Sequence, residues 1–130
     1  MDRAMSRMKV MGLALLVLGA FAIGEAQAAG DAGNGKTLFV RCAICHKTTK
    51  DGGNGLGPNL FGVGGRTAGT AAGFAYSPAM KSYAVIWTEA KLAAYIADPK
   101  SVVPGNRMAF AGLSNPAQAG DVAAYLMTLK

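Results

Sequence analysis

Cys42-Ala43-Ile44-Cys45-His46 is the stretch that decides the fold of this 130-residue chain. The two cysteines are the only ones in the sequence, and His46 is the only histidine. A C-x-x-C-H run is the attachment signature of a c-type haem. Two thiols at this spacing add across the two vinyl groups on one edge of the porphyrin, and the histidine that follows is placed under the iron as its proximal ligand. The stretch therefore predicts one covalently bound haem.

The same cysteines allow three other interpretations. A structural zinc site needs about four Cys or His ligands, whereas this chain offers three, all within five residues. A thioredoxin-like C-x-x-C centre is the stronger alternative, because exported oxidoreductases carry one. That fold needs a sheet and βαβ units, and the sequence contains no good strand run. A plain structural disulfide is the remaining alternative.

The first 28 residues have the pattern of a secretory signal peptide. Three basic residues precede an apolar, uncharged run at 10–23, and Ala26-Gln27-Ala28 forms an A-x-A cleavage site. The apolar run is shorter than the roughly 20 residues of a transmembrane helix, although an uncleaved leader could still anchor the protein. We therefore expect cleavage after Ala28 and one small domain at 29–130 in a bacterial periplasm.

The net charge of +6 at pH 7 indicates the class of partner. Without the leader, ten Lys and Arg face five Asp and Glu, so the polypeptide keeps a charge of +5. A basic balance suits acidic proteins, nucleic acid or anionic membranes. Because an exported protein rarely meets nucleic acid, we expect an acidic protein partner and no nucleic acid.

Capping residues and apolar spacing predict four helices. Their expected spans are 34–42 with Asn34 as N-cap, 77–83 with Ser77, 88–97 with Thr88, and a last helix with Asn115 as N-cap and Pro116 at its first position. Between them, residues 47–73 and 100–114 are predicted to be loops, the first of them rich in glycine. So long a loop is unusual in a small domain, but a buried prosthetic group can order it.

The second axial position of the iron separates electron transfer from ligand-binding chemistry. Three methionines follow the leader: Met80, Met108 and Met127. Met127 falls in the last predicted helix and Met80 lies next to a predicted N-cap, so packing is the simpler role for both. Met108 follows Pro104-Gly105 in a loop that can bend around the far edge of the haem. Although a loop methionine alone usually serves packing, the upstream C-x-x-C-H makes Met108 the expected sixth ligand.

Taken together, these motifs resemble a class I cytochrome c, of the short soluble bacterial type close to mitochondrial cytochrome c. The resemblance covers essentially all of residues 30–130. It rests on C-x-x-C-H at 42–46, Gly-Pro-Asn-Leu at 57–60, Trp87, Tyr-Ile-Ala-Asp-Pro-Lys at 95–100, and Pro104-Gly105 leading to Met-Ala-Phe-Ala-Gly at 108–112. It implies an all-α cytochrome c fold of three to five helices, with long Gly-rich loops around one haem.

The resemblance also implies roles for single residues. Cys42 and Cys45 would hold haem c covalently, and His46 and Met108 would be the axial ligands. The carbonyl of Pro58 would accept the other ring N–H of His46, which orients the ring and tunes its basicity.

Further roles concern the surroundings of the haem. Arg66, Tyr76 and Trp87 match residues that hydrogen-bond a haem propionate. Tyr95 would pack beside the haem near the methionine, and Phe110 would cover the methionine side.

Other positions match or depart from the family pattern. Gly35, Phe39 and Tyr125 match the crossing of the two terminal helices. Asn106 stands where the family often has Thr, and we expect its side chain to hydrogen-bond in the same way. Met80 stands where mitochondrial proteins usually carry Asn near an internal water. This difference bears on the exact value of the redox potential and not on the role of the protein.

The implied function is that of a one-electron carrier, not an enzyme, whose His/Met ligation raises the potential. The expected partners are acidic patches on membrane redox complexes. The donor would be of the quinol–cytochrome c reductase type, and the acceptor a terminal oxidase or a photosynthetic reaction centre. The cations expected around the haem edge are Arg41, Lys47, Lys100 and Arg107, with Lys36 and Lys81 more peripheral.

We expect the mature protein to be a monomer without stable membrane insertion. Two alternatives of other classes stay open on the sequence. One is a haem protein with a usable sixth site, such as a gas binder or a peroxidase-like enzyme. The other is a thiol–disulfide enzyme without haem.

Overall fold

The computed structural model describes residues 29–130 and, within the predicted leader, Gly19 alone. The rest of the leader predicted at 1–28 lies outside the described residues. The described chain forms five α-helices and one short 3-10 helix. In chain order these are α1 Ala32–Leu38, the 3-10 helix Phe39–Arg41, α2 Pro78–Tyr83, α3 Glu89–Ala97, α4 Pro99–Val102 and α5 Pro116–Met127. The one antiparallel bridge recorded in this part of the chain joins Thr67 and Ile86. The predicted all-α class is confirmed.

The start of α1 differs from the prediction. The N-cap is Asp31, whose side chain accepts the backbone N–H of Asn34 at 3.0 Å. The side chain of Asn34 instead donates to Asp121 in α5 at 2.6 Å. The prediction of Asn34 as N-cap was therefore wrong, because a long-range contact with α5 takes its amide. The helix also ends earlier than predicted, at Leu38, and continues as the 3-10 helix.

The other predicted caps are confirmed. Ser77 accepts the N–H of Met80, Thr88 that of Lys91, and Asn115 that of Ala117, at 3.0 to 3.2 Å. Pro78 and Pro116 occupy the first turns of α2 and α5, where a missing N–H costs no helical hydrogen bond. Short-range chemistry fixed these three helix starts.

The segment 100–114, predicted as one loop, begins inside a helix. Asp98 ends α3 and caps α4, because its side chain accepts the N–H of Ser101 at 3.2 Å. Pro99 suits the first position of the new helix and is itself buried. The prediction was wrong here because Asp-Pro can start a helix as well as stop one.

The first and last helices cross at Gly35. A Cβ there would overlap the carbonyl oxygen of Asp121 in α5, so only glycine allows this approach. One turn later, the rings of Phe39 and Tyr125 pack with centroids 5.3 Å apart. The crossing implied by the resemblance is present.

The core lies between these helices and the long loops. Its buried side chains include Phe39, Met80, Trp87, Leu92, Ile96, Val122 and Leu126. They come from the 3-10 helix, α2, α3, α5 and the segment between α2 and α3. Within the residues that the structure describes, no helix is long and apolar enough to cross a bilayer.

Candidate functional site

The C-x-x-C-H run forms a helical turn. The N–H groups of Cys45 and His46 both donate to the carbonyl of Cys42, at 3.0 and 2.9 Å. Residues three and four apart lie on the same side of such a turn. Both cysteines are free, half-buried thiols. Burial raises the pKa of Cys42, the neighbouring Cys45 raises it further, and Arg41 acts in the opposite direction.

The ring of His46 is fixed by the carbonyl of Pro58, at 2.8 Å from Nδ1. Because a carbonyl can only accept, Nδ1 carries the proton and Nε2 keeps its lone pair. Burial lowers the pKa of His46, against the effect of the Pro58 bond. Gly57 lies so close to the ring that a Cβ would come within 2.5 Å of Cε1. The loop therefore holds a neutral imidazole, the form that binds a metal, with Nε2 available.

The loop that carries Pro58 is tied to the motif on both sides. Gly57 donates to the carbonyl of Cys45 and Leu60 to that of Lys47, each at 2.9 Å. Arg66 donates through Nη2 to the carbonyl of Asn59 at 3.0 Å and through Nη1 to that of Phe61 at 3.2 Å. A guanidinium has five N–H donors, so Arg66 keeps donors for a carboxylate such as a propionate.

Two of the predicted aromatic residues, Trp87 and Tyr95, pack against each other, and a third, Tyr76, makes a hydrogen bond to the backbone. Trp87 and Tyr95 are buried, with ring centroids 5.3 Å apart, and Tyr83 packs on Trp87 at 5.7 Å. Burial, with a smaller effect of Tyr83, raises the pKa of Tyr95 to about 12, so its hydroxyl stays protonated. The hydroxyl oxygen of Tyr76 accepts the N–H of Ala71 at 3.0 Å, which leaves its own proton to donate.

Met108 is half-buried against the core in a loop held by Asn106. The Asn106 amide donates to the carbonyls of Pro99 and Val103, both at 2.9 Å, and its Oδ1 accepts the N–H of Met108 at 2.9 Å. Phe110 packs against the same core. The asparagine that departs from the family's usual threonine thus makes three hydrogen bonds that fix the loop.

These features fit a covalently attached haem. Two thiols and an imidazole with an available Nε2 belong to one helical turn, and a glycine passes over the imidazole without a side chain. The predicted site residues fall into three groups: the motif turn with Pro58, the buried aromatic residues, and the Met108 loop. Arg66 and Tyr76 belong to the loops between the first two groups.

Sequence reasoning missed several residues of this region. Asn54 accepts from the N–H of Asn59 in its own loop and donates to the carbonyl of Ala72 further along the chain, and nothing in its Gly-Asn-Gly context signals these bonds. Val40, Ile44 and Leu56 are large apolar side chains with exposures of 69, 79 and 82 %. Ile44 and Leu56 flank the contact between Gly57 and Cys45, so apolar surface lies beside the motif. Ile44 lies inside the motif turn and Leu56 lies between two glycines, and neither sequence context indicates that the side chain is exposed.

Comparison with known proteins agrees with this geometry. The family model described as Cytochrome c matches residues 32–130. The chain is 52 % identical to cytochrome c of Chlamydomonas reinhardtii over 99 residues, which cover 75 % of this chain and 88 % of that protein. It is 46 % identical to cytochrome c2 of Rhodoblastus acidophilus over 102 residues, 78 % of this chain and 95 % of that protein.

A solved structure shares the fold. Cytochrome cH from Methylobacterium extorquens matches with a TM-score of 0.71 and 44 % identity, covering 76 % of this chain and 99 % of that one. Members of the family are electron-transfer proteins with covalently attached haem c, and Cys42 and Cys45 supply the attachment motif. The chain therefore belongs to the cytochrome c family and is an electron-transfer protein, not an enzyme.

Proposed function

We propose that the mature protein is a soluble periplasmic one-electron carrier with His46 and Met108 as the axial ligands of its haem. The hydrogen bond from His46 Nδ1 to the Pro58 carbonyl, at 2.8 Å, carries this proposal. It directs the ring so that Nε2 can meet the iron of a haem whose porphyrin is attached to Cys42 and Cys45. Haem supplies the Fe(II)/Fe(III) couple when it is bound.

Met108 completes the site from the other loop. Its backbone N–H is fixed through Asn106 to the end of α4, so the loop that presents the thioether is held in place. A methionine sulfur as ligand favours the reduced state and raises the potential. It also keeps both axial positions filled, as a carrier requires. Arg66, Tyr76 and Trp87 serve the propionates, while Tyr95 and Phe110 pack beside the haem.

The surface around the motif suits an acidic partner. Arg41 and Lys47 are exposed and flank the haem-binding residues in the sequence, and Ile44 and Leu56 are exposed as well. Exposed basic and apolar side chains around the motif suit an acidic patch that also carries apolar surface. We assign the partners to membrane redox complexes of a respiratory or photosynthetic chain, which a monomer meets transiently from the periplasm.

The visible spectrum of the reduced protein, before and after carbon monoxide, tests the axial ligands. We expect a low-spin spectrum that carbon monoxide leaves unchanged. In Met108→Ala the iron loses its second axial ligand, so we expect carbon monoxide to bind and the midpoint potential to fall. Met127→Ala is the control, because Met127 lies at the end of α5, and it should behave as the wild type. A prompt carbon monoxide shift in the wild type would favour a gas-binding or peroxidase-like protein instead.

Rates of electron transfer with a quinol–cytochrome c reductase test the docking surface. Steering by charge predicts a rate that falls as ionic strength rises. Lys47→Gln should reduce both the rate and its salt dependence, whereas Lys91→Gln on the exposed side of α3 should change neither. A salt-independent wild-type rate would contradict this part of the proposal.

The mass of the protein recovered from the periplasm tests the leader. Cleavage after Ala28 predicts a chain that starts at Ala29 and carries one haem. A membrane-bound protein that still contains residues 1–28 would show that the leader is an anchor.

A further inference from the structure

Asn54 contacts the peptide group whose carbonyl holds His46. That peptide joins Pro58 to Asn59, and both of its polar ends are bonded. Its carbonyl oxygen accepts from His46 Nδ1 at 2.8 Å, and its N–H donates to Asn54 Oδ1 at 2.9 Å. The amide of Asn54 in turn donates through Nδ2 to the carbonyl of Ala72 at 2.9 Å. One unbroken line of hydrogen bonds therefore runs from the ring of His46 to the next loop.

Each step of this line passes through a conjugated amide. An amide whose N–H is bonded carries more negative charge on its oxygen, because hydrogen bonds in series polarise one another. The Asn54 side chain thus makes the Pro58 carbonyl a stronger acceptor. A stronger acceptor on Nδ1 raises the basicity of the imidazole at Nε2. More basic imidazole favours ferric iron, so the line acts on the potential.

The geometry around Asn54 keeps this line in place. Leu60 bonds back to Lys47 and Gly57 to Cys45, so the peptide between them cannot turn. Gly73, at a φ of +74°, brings its backbone to Asn54, and a Cβ there would lie 3.7 Å from Nδ2. Asn54 also borders an open cleft of about 300 Å³, lined in part by Lys50 and Ala72. The cleft leaves room for substitutions at this position.

We infer that Asn54 is a positioning residue that lowers the midpoint potential of the haem iron. It acts through the Pro58–Asn59 peptide and His46. The inference deepens the proposed function and rests on His46 being the axial ligand. It also makes the potential sensitive to the loop at 67–73, which holds the far end of the line.

Two substitutions of similar size separate this role from a merely structural one. Asn54→Leu removes the acceptor from the Asn59 N–H, whereas Asn54→Asp supplies a stronger, charged acceptor. Both lose the bond to Ala72, so a general loosening of the loops would move both in the same direction. The line of hydrogen bonds predicts opposite shifts of midpoint potential, upward for Asn54→Leu and downward for Asn54→Asp.

A second carboxylate controls for charge alone. Ala72→Asp places the same charge on an exposed residue of the same cleft and leaves the acceptor of the Asn59 N–H unchanged. Its effect on the potential is screened by salt, whereas the effect through the peptide is not. Asn54→Asp should therefore lower the potential further than Ala72→Asp, and the difference should persist at high ionic strength.

Nuclear magnetic resonance of the reduced haem protein gives a readout apart from electron transfer. Exchange of the His46 Nδ1 proton should be faster in Asn54→Leu, by up to about twofold, because its acceptor loses the cooperative part of its strength. Thr37→Val, which removes a hydroxyl bond to the carbonyl of Gly33 within α1, should leave that rate unchanged.

The outcomes distinguish the two levels of the proposal. A wild type without a low-spin, carbon-monoxide-resistant spectrum would overturn the axial ligands themselves. With a normal wild-type spectrum, equal potentials in both Asn54 variants, or shifts of the same sign, would overturn the role of Asn54 alone.

Discussion

Replacing Gly35 by alanine should separate the terminal helices and destabilise the protein. An ideal Cβ at this position overlaps the carbonyl oxygen of Asp121, and it lies 2.5 Å from the carbonyl carbon and 2.9 Å from the Cβ of Tyr125. All of these atoms belong to the backbone or to the root of a side chain. Because carbon atoms pack at about 3.5 to 4.0 Å, the helices must move apart by roughly 1 Å.

The expected cost follows from two opposing effects. Overpacking of this kind costs about 1–3 kcal/mol, and a backbone obstacle places Gly35→Ala near the upper end. Alanine in a helix returns about 0.5–1 kcal/mol relative to glycine. The net loss is then about 2 kcal/mol of unfolding free energy. For a domain of this size, that loss lowers the melting temperature by about 8–16 °C.

Urea titration of the haem protein, followed by Trp87 fluorescence and haem absorbance, measures this loss. Gly120→Ala is the matched control, since Gly120 lies in α5 and a Cβ there meets nothing within 4 Å. It should raise the stability by about 0.5–1 kcal/mol. A Gly35→Ala protein as stable as the wild type, with an unchanged m-value, would refute the argument that glycine is required at the crossing.

Three further predictions follow from single contacts. Asn106→Ala removes the bonds that fix the Met108 loop, so we expect a loss of about 1–3 kcal/mol and carbon monoxide binding in the absorbance spectrum. Leu126→Ala in the core should cost about 2–5 kcal/mol in urea titration, whereas Leu56→Ala, which is 82 % exposed, should leave stability unchanged and slow transfer to the partner. Hydrogen bonds from the side chain of Asn34 and the N–H of Asp31 lower the pKa of Asp121 below its ordinary value. This carboxylate therefore stabilises the fold at pH values above the pKa it has in the unfolded chain, and the contribution disappears as the pH falls through the lowered pKa. Asp121→Asn should therefore be less stable than the wild type at neutral pH, and acid titration of both proteins should show the gap closing; a gap that persists in acid would exclude this bond as its cause.

Local chemistry predicted much of the fold. Ser77, Thr88 and Asn115 cap the helices that follow them, because a cap bonds within three residues. Sequence reasoning failed where a side chain has a distant partner. Asn34 looks like a cap, yet its amide reaches Asp121, and Asp31 takes its place.

The candidate site divides in the same way. The spacing of Cys42, Cys45 and His46 is itself a local property, since residues three and four apart share one side of a turn. The contact of His46 with Pro58 follows from the resemblance to a family. The bonds of Asn54 to Asn59 and Ala72 come from neither source, because a hydrogen bond between two loops has no periodic pattern in the sequence.

The sequence alone determined the haem attachment motif, the helical class and most helix starts. These depend on interactions within a few residues, which the order of side chains specifies directly. The tertiary structure decided how closely the terminal helices cross at Gly35, which residue caps α1, and how the Met108 loop and the Asn54 line are held. These features depend on which distant groups meet when the core closes, and a buried donor or acceptor must find a partner there.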